Sequence, residues 1–199
     1  MRAPTLFSWL AKVSVILDLW WARSPDDHDL RIPFILRGPG IPKGETSSAI
    51  VLNIDVAPTF SAIATGAVPA EMDGRNVLDV LSRGVEGAVW RSDFMVQYKG
   101  GFKEPCLLEQ CPPPPKSNFH CIDGINNTYT CVRTIDADTK DSLYCEFVDS
   151  EGFIEFYNHT VDEHQLVNLW KSAPTPVLAE LKQRLAMFRT CKGVGCRNL

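Results

Sequence analysis

All seven cysteines of this 199-residue chain lie in its second half, from Cys106 to Cys196. The same stretch carries two N-glycosylation sequons, at Asn126 and Asn158, neither with proline in the middle position. Disulfides persist in the secretory pathway, where glycans are also added, so the combination predicts a secretory protein. A cytosolic zinc site is the alternative, but the sequence has no Cys-x-x-Cys pair.

The cysteines predict a disulfide framework whose connectivity the spacing alone does not fix. An odd number leaves at least one thiol free or paired outside the chain. Two pairs are candidate disulfides: Cys131 with Cys145, between neighbouring strands, and Cys191 with Cys196, across the turn at Gly193 to Gly195. The full set of disulfide candidates is Cys106, Cys111, Cys121, Cys131, Cys145, Cys191 and Cys196.

The charge pattern excludes one class of partner. A formal net charge of -4, without a cluster of lysine and arginine, argues against nucleic acid. The segment Met1 to Ala22 looks faintly like a signal peptide, but Lys12 and Asp18 interrupt its apolar run. That run is also too short and too charged to span a bilayer, so no membrane span is predicted.

The first half reads as part of an α/β sheet. The apolar runs Ile32–Leu36 and Ala49–Leu52 predict buried strands, the first ended by a Gly-Pro turn. A helix follows the second run, with Asp55 suited to cap its start, Pro58 tolerable in its first turn and Gly66 suited to its end. Residues 72–75 predict a loop, and residues 77–81 a short helix.

The second half predicts a four-stranded antiparallel sheet with a covering helix. Residues 112–115 are consecutive prolines, which predict a stiff surface loop or, as the alternative, a polyproline ligand. The helix is predicted over residues 176–190 because Leu178, Leu181, Leu185 and Phe188 form one apolar stripe. The predicted strands are Phe94–Tyr98, Tyr129–Thr134, Tyr144–Val148 and Gly152–Tyr157.

Three groups of polar residues invite a catalytic or metal-binding interpretation. Each has a structural alternative that the pattern favours. The run Asp26, Asp27, His28 and Asp29 could bind calcium or magnesium, or be a solvated charge run. Asp55 could serve catalysis or cap a helix, and Asp73 could serve catalysis or a turn. The third group, His159, Asp162 and His164, could form a zinc site or belong to a strand-to-helix turn.

Successive segments resemble the sulfatase family. Three of them look like landmarks, in the right order, of the later part of the catalytic domain. The others resemble the carboxy-terminal subdomain of the branch that removes 6-sulfate from N-acetylglucosamine. The first three are Ile32–Ile41, Asn53–Thr59 and Met72–Arg75; the others are Trp90–Asp93, Asn126–Thr134, Tyr144–Phe147 and Glu155–Asn158.

The resemblance covers about residues 29 to 199. It implies an α/β fold: the end of an alkaline-phosphatase-like sulfatase sheet domain, then an α+β subdomain with a four-stranded antiparallel sheet and a covering helix. The implied domains are an unrelated or irregular segment 1–28, the end of the catalytic domain at 29–88, and the disulfide-containing subdomain at 89–199. A lysosomal or secreted location is implied as well.

The family's chemistry needs a formylglycine made from cysteine in a Cys-x-Pro-Ser-Arg type motif, and calcium. This sequence has no such motif: Cys111 has Pro113 two positions on, but not the Ser-Arg that should follow. The lysine expected just ahead of Ile32 is absent from residues 24–28. We therefore assign no catalytic, cofactor-binding or metal-binding residue to this chain.

Two functions follow as expectations. The first is a fragment of a sulfuric ester hydrolase for sulfated glycosaminoglycans such as heparan or keratan sulfate, inactive by itself. A non-catalytic secreted module that binds glycans or a partner protein is the alternative. The second would need a stable fold without a large central sheet, and strands exposed near Ile32 and Val51 would favour aggregation.

Overall fold

The structure, a computed structural model, describes residues 25, 30–39, 41–81, 90–99, 128–136 and 140–199. These described residues fall into two compact units, one of those up to Phe94 together with 186–199, and one of those between Met95 and Leu185. The predicted domain boundaries at residues 28 and 88 stay predictions. Several expectations lie outside the described residues: the signal-like segment 1–22, the acidic run 26–29, the prolines 112–115, the sequon at Asn126, and Cys106, Cys111 and Cys121.

In the first unit, a 3-10 turn at Asn53–Asp55 leads directly into helix α1, Val56–Thr65. The helix ends at Gly66, whose φ of 80° is the left-handed conformation that glycine adopts without steric cost. Residues 77–81 are helical as well. The predicted end of α1 and the predicted short helix are both confirmed.

The two strands predicted in the first unit are wrong. Residues 31–38 and 49–52 are irregular, with no strand pairing among the residues described. Along 32–36 the side chains alternate between half-buried and exposed, as in an extended chain. An apolar run makes extended backbone favourable, but a strand also needs a hydrogen-bonded neighbour, which the run itself does not specify.

The second unit is built on a four-stranded sheet, so the predicted sheet is confirmed. Its strands are β1 Asp93–Tyr98, β2 Tyr129–Asp136, β3 Lys140–Phe147 and β4 Ile154–Asn158. They lie in the order β1-β2-β3-β4; β2 and β3 are antiparallel, and so are β3 and β4. Both faces of the centre are buried, and the core of one face is formed by Tyr129, Cys131, Leu143, Cys145 and Tyr157.

The outer edge of β4 is closed by a side chain instead of a fifth strand. Asn168 accepts a hydrogen bond from Phe156 N at 3.1 Å and donates one to Ile154 O at 3.0 Å. The backbone of Leu169 adds a bond to Phe156 O at 2.8 Å. Asn168 thereby satisfies backbone groups that an exposed sheet edge would present to another chain.

Helix α2, Thr175–Thr190, and the short helix α3, Val194–Arg197, end the chain. The apolar stripe predicted on α2 is confirmed by burial: Leu185 is fully buried, and Leu178, Leu181 and Phe188 are half-buried among mostly exposed neighbours. Cover of the sheet by this helix stays a prediction. Fold class α/β with a four-stranded antiparallel sheet and helices is confirmed.

Candidate functional site

Asp55 is the most deeply buried acidic residue described, with none of its surface exposed. Its carboxylate accepts hydrogen bonds from Leu52 N and Arg75 N, each at 2.8 Å. Both terminal nitrogens of Arg91 complete the set, Nη2 at 2.7 Å from Oδ1 and Nη1 on Oδ2. Four donors fill the positions around the two oxygens.

This geometry supports neither of the two interpretations of Asp55, as a catalytic residue or as a helix cap. A carboxylate whose lone pairs are all used by fixed donors has no position left for a metal ion or a proton in transit. Its side chain also makes no hydrogen bond that caps α1, so the predicted cap is wrong. The residue stands at the cap position, but the nearby Arg91 guanidinium is the stronger, charge-assisted partner and draws the carboxylate away.

Trp90 packs beside this ion pair. The guanidinium carbons of Arg91 and Arg75 lie 5.3 Å and 5.6 Å from the centre of the indole ring. The indole N–H donates to Ile50 O at 2.8 Å. Cation–π contacts of this kind hold the two arginines in place, and the indole bond fastens the irregular segment 49–52 to them.

A second set of contacts holds residues 74–77 against the 3-10 turn and the start of α1. Thr59 donates to Asp55 O at 2.7 Å and accepts from Val77 N at 2.9 Å. Gly74 packs so closely that a Cβ atom there would lie 2.0 Å from Ile54 O. Only glycine fits this approach.

Asp73, expected to serve a turn, reaches a distant part of the chain. Its Oδ1 accepts a hydrogen bond from Gly193 N, 120 residues away. Val194 N donates to Ala70 O at 3.1 Å beside it. The carboxylate of Asp73 is thus used to fasten its loop to the end of the chain, and it does not meet Asp55 in a common site.

In the second unit, the buried side chains of Arg133 and His159 share a partly exposed partner, Asp141. Asp141 Oδ1 accepts from Arg133 Nη1 and lies 3.1 Å from His159 Nδ1. Arg133 also donates to Ser142 O at 3.2 Å, and His159 N donates to Asp141 O at 2.8 Å. The group ties β2, β3 and the residue after β4 together, so its evident role is structural.

The structural alternative is the better reading of the group at His159, Asp162 and His164. Asp162 accepts hydrogen bonds from Leu166 N at 3.0 Å and Val167 N at 2.9 Å. These two backbone donors hold the pKa of the Asp162 carboxyl below its ordinary value, and His159 and His164 lower it further. Asp162 therefore serves the turn, and His159 is bonded to Asp141.

Asn158, the described sequon residue, ends β4 and is half-buried. Its Oδ1 accepts from Thr160 N at 3.1 Å and from the Thr160 hydroxyl at 2.6 Å. Because the side-chain oxygen takes both bonds, the amide nitrogen that a glycan would join is left out of this turn.

Both candidate cysteine pairs are bonded in the structure. Cys131 and Cys145 stand directly opposite each other on β2 and β3, with no surface exposed. Cys191 and Cys196 follow α2 and are partly exposed. Among the residues described, no group of three or more His, Cys, Asp or Glu side chains is placed to hold a metal ion. Within the same residues, no helix is long and apolar enough to cross a bilayer.

Sequence reasoning missed the partners of Asp55. Arg91 and Trp90 lie far from it along the chain, and no local periodicity marks them. Buried Arg133 was missed too. A signal for it existed, because a lone arginine within the β-rich run Tyr129–Thr134 must either face water or find a buried acid.

Comparison with known proteins shows that the chain is similar to sulfatases. Residues 20–105 match a family model described as N-sulphoglucosamine sulphohydrolase, C-terminal. The chain is 40% identical over 182 residues to N-acetylglucosamine-6-sulfatase of Capra hircus, covering 86% of this chain and 32% of that protein. The human protein of the same name is 39% identical over 182 residues, which again cover 86% of this chain and 32% of that protein. An arylsulfatase of Chlamydomonas reinhardtii is 29% identical over 191 residues, 86% of this chain and 27% of that protein.

Solved structures agree with the fold. One, a protein in complex with its substrate D-glucosamine-2-N,6-O-disulfate, superposes with a TM-score of 0.56 at 28% identity, covering 78% of this chain and 27% of that one. Another, from a glycosaminoglycan-metabolising locus of Bacteroides thetaiotaomicron, has a TM-score of 0.54 at 16% identity, covers 78% of this chain and 30% of its own, and shows the fold alone. The chain spans about a third of the length of the N-acetylglucosamine-6-sulfatases it matches.

Proposed function

We propose that this chain belongs to the sulfatase family and is the carboxy-terminal part of a sulfuric ester hydrolase that removes 6-sulfate from N-acetylglucosamine units of heparan or keratan sulfate. The observation that carries this is the 40% identity over 182 residues to N-acetylglucosamine-6-sulfatase. The solved relative bound to a 6-O-sulfated glucosamine supports the same substrate class.

By itself the chain is inactive in this proposal. Sulfate ester hydrolysis needs an activated nucleophile, a cation near the sulfate oxygens and an acid for the leaving alcohol. The sequence has no Cys-x-Pro-Ser-Arg motif to become formylglycine. The buried acid Asp55 is fully engaged by its donors. We therefore assign both the formylglycine and the calcium to other parts of the enzyme, and derive no catalytic step for this chain.

What the chain contributes is a scaffold. In one unit the Asp55–Arg91 pair fixes the segment before α1 to the residues before β1. In the other, a disulfide and the polar group of Arg133, Asp141 and His159 cross-link the sheet. A lysosomal or secreted location goes with this proposal, since both the disulfides and the sequons belong to the secretory pathway.

The proposal is tested with the purified 199-residue chain and with a chimera. In the chimera, this chain replaces the matched 182-residue segment of the human N-acetylglucosamine-6-sulfatase. We expect the chimera to desulfate a fluorogenic 6-sulfated N-acetylglucosamine and the chain alone to leave it intact. A folded, secreted but inactive chimera would overturn the sulfatase role, and turnover by the chain alone would overturn its inactivity.

A binding measurement with the chain alone, using sulfated and desulfated heparan fragments, distinguishes the alternative function, a glycan-binding module, from the sulfatase fragment. If the chain binds them at micromolar concentration while the folded chimera stays inactive, the glycan-binding module replaces the sulfatase fragment as the function.

A further inference from the structure

The disulfide between Cys191 and Cys196 closes a turn that rests on another part of the same unit. We call residues 191–197 the latch turn and residues 69–75 the latched loop. Gly193 N donates to Asp73 Oδ1, and Val194 N donates to Ala70 O at 3.1 Å. Arg197 Nη2 reaches Pro69 O at 3.3 Å. Three bonds thus run from the latch turn to the latched loop.

The fit between the two segments is close. Gly193 has a φ of 54°, and a Cβ atom at this position would lie 2.1 Å from Ala70 O. The disulfide joins cysteines only five positions apart, so it holds Gly193 and Val194 in the bend from which their N–H groups point at the loop. Without that bond, the bend is one of many conformations open to a short glycine-containing segment.

The latched loop in turn contacts the buried ion pair. Gly74 packs against Ile54 O, and Arg75 N donates to Asp55 Oδ1 at 2.8 Å. A continuous set of contacts therefore runs from the disulfide through Asp73 to Asp55.

The two described disulfides differ in their exposure. The Cys131–Cys145 bond lies inside the core of the sheet, with both cysteines fully buried, whereas Cys191 and Cys196 are partly exposed. Thiol–disulfide exchange requires a thiolate to reach a sulfur atom, so access governs which bond reacts first in the folded protein. Of the two described disulfides, Cys191–Cys196 is therefore the more accessible; we call it the latch disulfide.

We propose that the Cys191–Cys196 disulfide is a reductant-sensitive latch that holds residues 69–75, and that its reduction releases this loop while the sheet stays intact. A thiolate of a dithiol reductant attacks one sulfur, the Sγ–Sγ bond breaks, and the departing thiolate takes a proton from solvent. The second thiol of the reductant then resolves the mixed disulfide. Two electrons and two protons reach the cysteines, and the dithiol becomes a disulfide.

The test is graded reduction of the intact chain with dithiothreitol under native conditions. Alkylation and peptide mass analysis report which cysteines have become thiols, and hydrogen exchange reports the backbone. We expect Cys191 and Cys196 to be alkylated at reductant concentrations that leave Cys131 and Cys145 bonded. Amide exchange at Val194 and across residues 70–75 should then rise about tenfold or more, because local opening no longer has to break the latch contacts.

Two outcomes would overturn the proposal: simultaneous reduction of both disulfides, or reduction of the latch with unchanged exchange at residues 70–75. The variant Asp73→Ala keeps the disulfide but removes one acceptor, and should raise exchange at Gly193 in the oxidised protein. Glu71→Ala changes an exposed residue of the same loop and should not. Equal exchange in these two variants would also contradict the latch.

Discussion

Arg91 forms a bidentate ion pair with Asp55 across 36 residues of sequence, with 6% of the arginine side chain and none of the aspartate exposed. The pair joins the start of α1 to the segment before β1. Two parallel N–H···O bonds match the planar guanidinium to the carboxylate, which a lysine cannot reproduce. Its stability contribution follows from burial, because removing either partner leaves a charge without water or a counterion.

We expect Arg91→Ala to lower the free energy of unfolding by about 3–5 kcal/mol, the usual loss when one member of a buried pair is removed. Arg91→Lys should lose less, because it keeps the charge but only part of the fork. Urea denaturation followed by tryptophan fluorescence measures both. The exposed Arg37→Ala is the control and should change stability by about 0.5 kcal/mol or less. A similarly small change for Arg91→Ala would contradict the structural role of the pair.

A second prediction concerns Gly74. Replacement by alanine puts a methyl group 2.0 Å from Ile54 O and 2.5 Å from Ile54 C, which the backbone relieves only by moving. We expect Gly74→Ala to lower the free energy of unfolding by about 1–3 kcal/mol. Gly195→Ala is a matched control, since nothing lies within 4 Å of the added methyl group. Denaturation curves that coincide for the two variants would show that the close approach is absent in solution.

The parts of the fold that could be predicted from the sequence are those set by local patterns. Burial of Leu185 and its stripe follows from helical spacing, and the pairing of β2 with β3 brings Cys131 opposite Cys145 as expected. Local patterns do not name distant partners. Ile32–Leu36 is apolar and extended, yet without a neighbour it forms no strand in the residues described.

The same limit explains why the partners of Asp55 and Asp73 could not be predicted from the sequence. Asp55 before a helix reads as a cap in any local analysis, because the cap is the partner that sequence places within reach. In the folded chain, the Asp55 carboxylate binds the guanidinium of Arg91 instead of capping α1, through a contact between residues 36 positions apart. The bond between Asp73 and Gly193 spans 120 residues and depends on a glycine with positive φ, so no spacing rule could have found it.

The Asp162 turn predicts a pH dependence. Backbone N–H groups of Leu166 and Val167 lower the pKa of its carboxyl from the ordinary value of 3.8. A folded-state pKa below the unfolded value gives a stabilisation that is fully present above about pH 5 and is lost as pH falls through the folded pKa. We expect Asp162→Asn to be less stable than the parent at pH 7, and the difference to shrink to nothing at the most acidic pH.

Denaturation of both proteins across pH 2 to 7 measures this difference, and a carboxyl NMR titration of Asp162 gives its pKa directly. The same acid-to-amide change at the exposed neighbour, Glu163→Gln, is the control. If the Asp162→Asn difference did not shrink as the pH fell through the pKa measured for Asp162, the two backbone bonds would not be the cause.

The Asn158 sequon gives a prediction about modification. Its side-chain oxygen is bound by both the backbone and the hydroxyl of Thr160, so the amide nitrogen is the group left to join a glycan. In a chain secreted from animal cells, we expect Asn158→Gln and Thr160→Ala each to remove one N-linked glycan, detected as a loss of mass that glycosidase treatment abolishes. Thr160→Ser keeps the hydroxyl and the sequon and should keep the glycan. Asn53→Gln, outside any sequon, should leave the mass of the attached sugar unchanged. An unaltered glycan mass in Asn158→Gln would mean that the half-buried end of β4 is inaccessible to the transferase and that the turn with Thr160 serves folding alone.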